Sequence, residues 1–226
     1  MSTPSTHLPF DSTLAHERLP NRQIDAVLFD FGGVLTSSPF SAIMAWAVEN
    51  GHEPEGILRM FIGYPHETDH AFHRAERGEL SAQDMFAEVS VEAAKIGIDP
   101  AGFAAGLSMT TRDDVITYIR GLREDGIALA LVTNNFAEMS GHWRTMAPVD
   151  DLFDIVVESS SEGVRKPTAE IYERTLDRLG VPANRAAFLD DLEDNIVGSQ
   201  AVGLHSILVP DDYQSALTQL DALLGR

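Results

Sequence analysis

Two spacings of apolar residues divide this chain, and they change over at two places. Ala26-Val27-Leu28-Phe29 is a short unbroken apolar run, the pattern of a strand buried on both faces of a parallel sheet. It stops abruptly at Asp30, and Gly32 and Gly33 follow. From 37 to 110 the spacing is helical. Phe40, Ile43, Met44, Ala47 and Val48 share one face that Gly51 closes, and Ile57, Leu58, Phe61 and Ile62 form a second. Ser81 and Asp84 resemble a capping box opening a helix through Met85, Phe86, Val89, Ala93 and Ile96 that Gly97 ends. Phe103 and Leu107 suggest one or two further turns.

After residue 110 helix and strand alternate. Thr111 and Asp114 are expected to cap a helix carrying Val115, Ile116, Ile119 and Leu122, with Gly126 at its end. Ile127–Val132, Ile155–Val157, Ala186–Leu189 and Ser206–Val209 are the remaining strands. Helices run between them through Ile171, Thr175, Leu176 and Leu179, stopped by Gly180, and finally through Tyr213, Leu217, Leu220 and Leu224. Such alternation predicts an α/β fold, a doubly wound parallel sheet. The strand-free stretch reads as a small helical insertion after the first strand. Residues 1–22 read as a loose polar tail with one short helical piece near Leu14, lacking the charged start and apolar centre of a signal peptide.

Charge and composition narrow the partners. A formal net charge of −19 over 226 residues excludes nucleic acid and anionic membrane surfaces, since nothing offsets repulsion from phosphate. An anionic substrate would need a local island of positive charge or a metal, and Lys95 and Lys166 are the only lysines. The absence of cysteine excludes disulfides and thiolate chemistry and fits a cytoplasmic protein. No apolar run approaches the ~20 residues that a membrane span requires. An acidic surface of this kind suits a monomer or a homodimer joined through apolar patches.

The chemistry gathers at the strand ends. The first strand ends on Asp30 and the second on Thr133-Asn134-Asn135. Arg165-Lys166-Pro167 follows the third, and the fourth ends on Asp190-Asp191. In open α/β sheets ligands bind at the carboxyl ends of the strands. A nucleophile candidate, a hydroxyl with amide donors, a cation and paired acids on one sheet edge are the parts needed to attack a phosphoryl group and hold its charge.

These four stretches, in this order and spacing, resemble the four motifs of the haloacid dehalogenase (HAD) superfamily, and the likeness covers nearly everything after residue 22. The helical insertion is similar to that family's C1 cap. His73-Arg74-Ala75-Glu76-Arg77-Gly78-Glu79-Leu80-Ser81 and Asp190-Asp191-Leu192-Glu193-Asp194-Asn195 look like the branch holding sugar-phosphate phosphatases and the amino-terminal phosphatase domain of soluble epoxide hydrolases. The resemblance implies a core of residues 23–36 and 111–226 and a cap of 37–110. It implies that Asp30 attacks phosphorus to form an aspartyl-phosphate, that Thr133 and the Asn134 N–H (near a helix start) bind the phosphoryl group, and that Lys166 neutralises charge. It further implies Mg²⁺ held by Asp30, the Gly32 carbonyl and Asp191, with Asp190 and Asn195 orienting metal-bound waters. The expected activity is hydrolysis of a small phosphorylated metabolite.

One position departs from that pattern. The residue two after the nucleophile is usually a second Asp, the general acid and base, and here it is Gly32. The substrate then has an easy leaving group, or His73 or Glu76 of the cap supplies the proton, or catalysis has been lost. The alternatives are accordingly a 2-haloacid dehalogenase, which needs neither metal nor leaving-group acid, and a non-catalytic binding or regulatory module. His66-Glu67-Thr68-Asp69-His70 also spells HExxH, but with Pro65 before it and Asp69 inside it the expectation is a polar cap helix, with His73 on the same face as His66. Trp46 and Trp143 are expected to be packing residues.

Overall fold

A computed structural model describes residues 22–99 and 109–226. The helical piece near Leu14 and the turns at Phe103 and Leu107 lie outside the described residues. Five strands form one parallel sheet: β1 (Ala26–Phe29), β2 (Ala128–Thr133), β3 (Ile155–Glu158), β4 (Ala186–Asp190) and β5 (His205–Leu208). Their order is β3-β2-β1-β4-β5, so the chain leaves β1 toward β2 on one side and returns to β4 on the other. The reversal beside β1 opens a crevice at the carboxyl edge. Phe29 is level with Leu131 on one side and Leu189 on the other, which brings Asp30, Val132 and Asp190 to the same height.

Both faces of the sheet are covered, which is why the strands read as continuous apolar runs. Val27, Phe29, Leu129, Leu131, Ala187 and Leu189 pack with α5 (Asp113–Glu124) and the C-terminal helix Gln214–Leu224. Ala26, Leu28, Ala130, Val132 and Phe188 point the other way, onto the helices Ala169–Leu179 and Glu193–Val202.

The insertion is α1 (Pro39–Glu49), α2 (Pro54–Ile62), α3 (Ala71–Glu76) and α4 (Ala82–Lys95). Its buried residues, among them Ile43, Ile57, Phe61, Ala75, Met85 and Val89, make an apolar cluster of their own. Its two ends meet where Thr36 bridges Thr111, with Ser37 N donating to Thr110 O at 2.8 Å and Arg112 N to Leu35 O at 2.9 Å. Two adjacent chain crossings therefore join it to the sheet domain.

Of three local expectations, one forms and two do not. The Ser81–Asp84 cap is present, with the Ser81 hydroxyl accepting from Asp84 N at 3.0 Å. No side chain caps α5, whose N-cap is Arg112. Asp114 instead accepts from Tyr213 Oη at 2.7 Å and Gln214 Nε2 at 2.9 Å, tying α5 to the C-terminal helix. The HExxH stretch is not helical. It runs through turns up to His70, whose Nδ1 accepts from Phe72 N and caps α3, so His66 and His73 share no helix face.

Candidate active site

Asp30, at the first position beyond β1, is 7% exposed. Its N–H donates to Leu189 O at 2.9 Å, and its Oδ1 accepts from Phe31 N at 2.7 Å. Lys166 Nζ lies 2.7 Å from the same oxygen and 2.7 Å from Asp190 Oδ2. Lys166 has no exposed surface. Burial alone would lower its pKa, but Asp190 and Asp30 more than offset this and hold it above the usual lysine range. Asp190 is held in turn by Leu192 N at 2.8 Å and Asn195 Nδ2 at 3.0 Å. Asp190 is thus engaged with both Asn195 and Lys166.

Asp191 faces the same crevice from beyond β4. Its Oδ2 accepts from the Ser38 hydroxyl, and its Oδ1 is shielded from water with no hydrogen-bond partner among the described residues. Asp30, Asp190 and Asp191 offer oxygens all within 4.8 Å of one another. Burial drives Asp30 well above the ordinary carboxylate range; Lys166 opposes this, while Asp190 and Asp191 add to it. Burial, then the charge of Asp190, raises Asp191 to about 7. Three acids share one ammonium, their ionisation is disfavoured without a further cation, and one carboxylate oxygen has no partner among the described residues. This all-oxygen donor set fits a hard divalent cation.

Thr133 ends β2 and is buried beside Asp30. Asn134 clamps the lysine-bearing loop, its Oδ1 accepting from Lys166 N at 2.9 Å and its Nδ2 donating to Lys166 O at 3.1 Å. The helix start expected beside Asn134 is a 3₁₀ turn (Ala137–Met139) followed by a four-residue helix. Any backbone anion site there lacks a long helix dipole behind it.

A cavity of about 70 Å³ joins these groups. Asp30, Gly32, Thr133, Asn134, Lys166 and Asn195 line it from the core, and Phe40, Ile62, Phe72 and Glu76 from the cap. Glu76 is 3% exposed and pairs with Arg165, Nε to Oε2 2.5 Å. His73 is as buried but sits outside this cavity, with Nδ1 2.9 Å from Glu67 O. It lines an adjoining cleft of about 450 Å³ with Arg77, Arg165 and Thr168.

A family model for haloacid dehalogenase-like hydrolases matches residues 24–203. The chain belongs to that family. It is therefore a hydrolase. Over 213 residues it is 35% identical to mouse acyl-CoA dehydrogenase family member 10, covering 90% of this chain but spanning only 19% of that relative's length. A sesquiterpene phosphatase from Aspergillus oryzae is 31% identical over 206 residues, covering 88% of this chain and 96% of its own. Solved structures share the fold. A dehalogenase aligns with a TM-score of 0.64 at 20% identity, covering 90% of this chain and 98% of its own. A HAD family enzyme from Bacteroides thetaiotaomicron, in complex with magnesium and inorganic phosphate, aligns at 0.60 and 19% identity, covering 83% and 95%.

Sequence reasoning missed what three residues contribute to this hydrolase site. Ser38 caps α1 and also holds Asp191; its place before Pro39 was the available signal. Arg165 bridges to the cap through Glu76. Glu158, at the end of β3, receives Asn135, Ser140 and Arg144 and so fixes the loop after Thr133. A buried acid at the end of a strand carries no signal of its partners in the sequence.

Proposed function

We propose that this hydrolase is a Mg²⁺-dependent phosphatase acting on a small phosphorylated metabolite through an aspartyl-phosphate on Asp30. The observation that carries the reading is the Asp30–Asp190–Asp191 cluster, whose Asp191 Oδ1 has no partner among the described residues. Asp30, the Gly32 carbonyl and Asp191 would hold Mg²⁺, which when bound neutralises charge on the phosphoryl oxygens. Displacement of halide at carbon uses no cation, and a buried acid cluster of this kind would be an unrelieved cost to a dehalogenase.

The chain's own residues divide the work. Both contacts to Asp30 fall on Oδ1, so Oδ2 is the attacking oxygen. Lys166 favours the ionised form of Asp30 against the effect of burial and meets the charge that develops on the phosphoryl group. Thr133 donates its hydroxyl to a phosphoryl oxygen. Asn134 binds there through its backbone N–H while its side chain holds Lys166 in place. Phe40, Ile62 and Phe72 close the cavity and exclude water until the leaving group has gone.

Phosphate release in Mg²⁺ from an anomeric sugar phosphate, an acyl phosphate and an alkyl phosphate tests this. Release that stops with a chelator and with Asp30→Asn supports the reading. Absence of release from all three overturns it, and release that survives chelation removes the metal from it.

A further inference from the structure

Gly32 leaves the site without the carboxyl that would protonate a leaving group, and the cavity restricts what can replace it. Of the described residues lining it, only Asp30, Glu76, Arg165 and Lys166 carry ionisable side chains. Asp30 is the nucleophile. Lys166 is committed to Asp30 and Asp190 and is held above its usual range. A guanidinium does not exchange protons in the neutral range. His73, the other cap residue with suitable chemistry, lines the neighbouring cleft instead.

Resting on the phosphatase reading, we infer that Glu76 is the general acid and base of this enzyme, standing on the cap in place of the carboxyl absent at position 32. The placement suits the chemistry. The nucleophile enters from the strand ends, so in-line displacement sends the leaving group toward the cap, and Glu76 is in the cap wall. The side chain is also subject to two opposed influences. Burial raises its pKa, whereas the Arg165 ion pair, then Lys166 and Arg77, lower it, and the net direction is upward. A carboxyl balanced in this way can both give and take a proton.

The steps balance. As Asp30 Oδ2 bonds to phosphorus, the P–O bond to the leaving group breaks, and its electron pair goes to the departing oxygen. That oxygen takes the proton of Glu76 and leaves as an alcohol. Water then attacks phosphorus and gives a proton to the Glu76 carboxylate. Asp30 is released as a carboxylate, phosphate departs, and Glu76 is again protonated. Arg165, 2.5 Å away, holds the carboxylate between the two half-reactions.

The test is a leaving-group series, from dinitrophenyl phosphate through phenyl phosphate to an alkyl phosphate, run in Mg²⁺ on the wild-type chain, Glu76→Gln and Glu76→Asp. Glu76→Gln should lose on the order of 10²–10⁴ in kcat on the alkyl phosphate, with the loss shrinking steadily toward dinitrophenyl phosphate. Glu76→Asp should recover part of it. A loss equal across the series would mean a purely structural role and overturn the inference while leaving the phosphatase intact. If Glu76→Gln does not fold, the wild-type series decides alone: a shallow dependence on leaving-group basicity supports an enzymic acid, and a steep one overturns it. A wild-type chain inactive on every member overturns the phosphatase reading itself.

Discussion

Gly33 and Asp191 fit together so closely that a Cβ on Gly33 would lie 2.1 Å from the Asp191 carboxylate. Gly33 also has φ +72°, in the left-handed region that disfavours other residues. The glycine turn after β1 therefore serves the site as much as the backbone, because it makes room for the acid that faces Asp30.

Gly33→Ala should displace Asp191 from the cluster. Calorimetric titration with Mg²⁺ is expected to show affinity at least about tenfold weaker. Thermal unfolding should record a loss of about 1–2 kcal/mol from the left-handed backbone. Unchanged Mg²⁺ affinity would show that Asp191 is not a ligand.

Lys166 is the charge on which the buried acids depend. Lys166→Met keeps much of the volume but leaves Asp30 and Asp190 facing each other without a cation. Removing one partner of a buried ion pair costs about 3–5 kcal/mol, so urea unfolding near neutral pH should show a loss of that size. Asp30 is already held well above the ordinary carboxylate range, and loss of Lys166 raises it further. A carboxyl raised in the folded state takes up its proton there first, so acidification relieves the penalty and rising pH restores it. The deficit relative to wild type should therefore be smaller at about pH 5 than at about pH 8. A pH-independent deficit would mean that the loss is one of packing.

The strands and the residues at their ends were legible in the sequence because burial on both faces writes itself as an unbroken apolar run. Asp30, Thr133, Lys166 and Asp190-Asp191 end or follow such runs, and the parallel register then brings them together. What was not legible depends on contacts between distant segments. Asp114 has the sequence position of a helix cap, yet Tyr213 and Gln214 claim its carboxylate. The histidines of the HExxH stretch match a helical motif, but Gly63 and Pro65 lead into turns and the helix begins only at Ala71. Spacing alone could not separate Glu76 from His73: both are buried on α3, and only the cavity walls tell them apart.

His73 carries a separate pH signature. Burial, with Arg165 close by, lowers its pKa from 6.5 to about 4. Below 6.5 the unfolded chain binds a proton that the folded ring refuses until about 4, so this residue makes stability fall as pH drops through that window. Above it the contribution is flat. Thermal melts of wild type and His73→Gln should diverge at neutral pH and converge on acidification, because the glutamine variant has no such proton to exclude. Parallel melting curves across the range would show that the folded ring takes up its proton as readily as the unfolded one.

The last prediction joins the two candidate positions for the acid. Gly32 has ordinary backbone geometry, and a Cβ there would meet nothing nearer than Pro39 Cδ at 3.4 Å, so a side chain can start there without moving the backbone. If Glu76 already supplies the proton, Gly32→Asp in the wild-type background should change alkyl phosphate turnover little. In the Glu76→Gln background the same substitution should restore turnover on the order of 10²-fold, because positions 32 and 76 line the same cavity. Steady-state kinetics on the four proteins of this double-mutant cycle read the coupling directly. An equal gain in both backgrounds would mean that the two carboxyls act independently and that the wild-type chain works without a leaving-group acid.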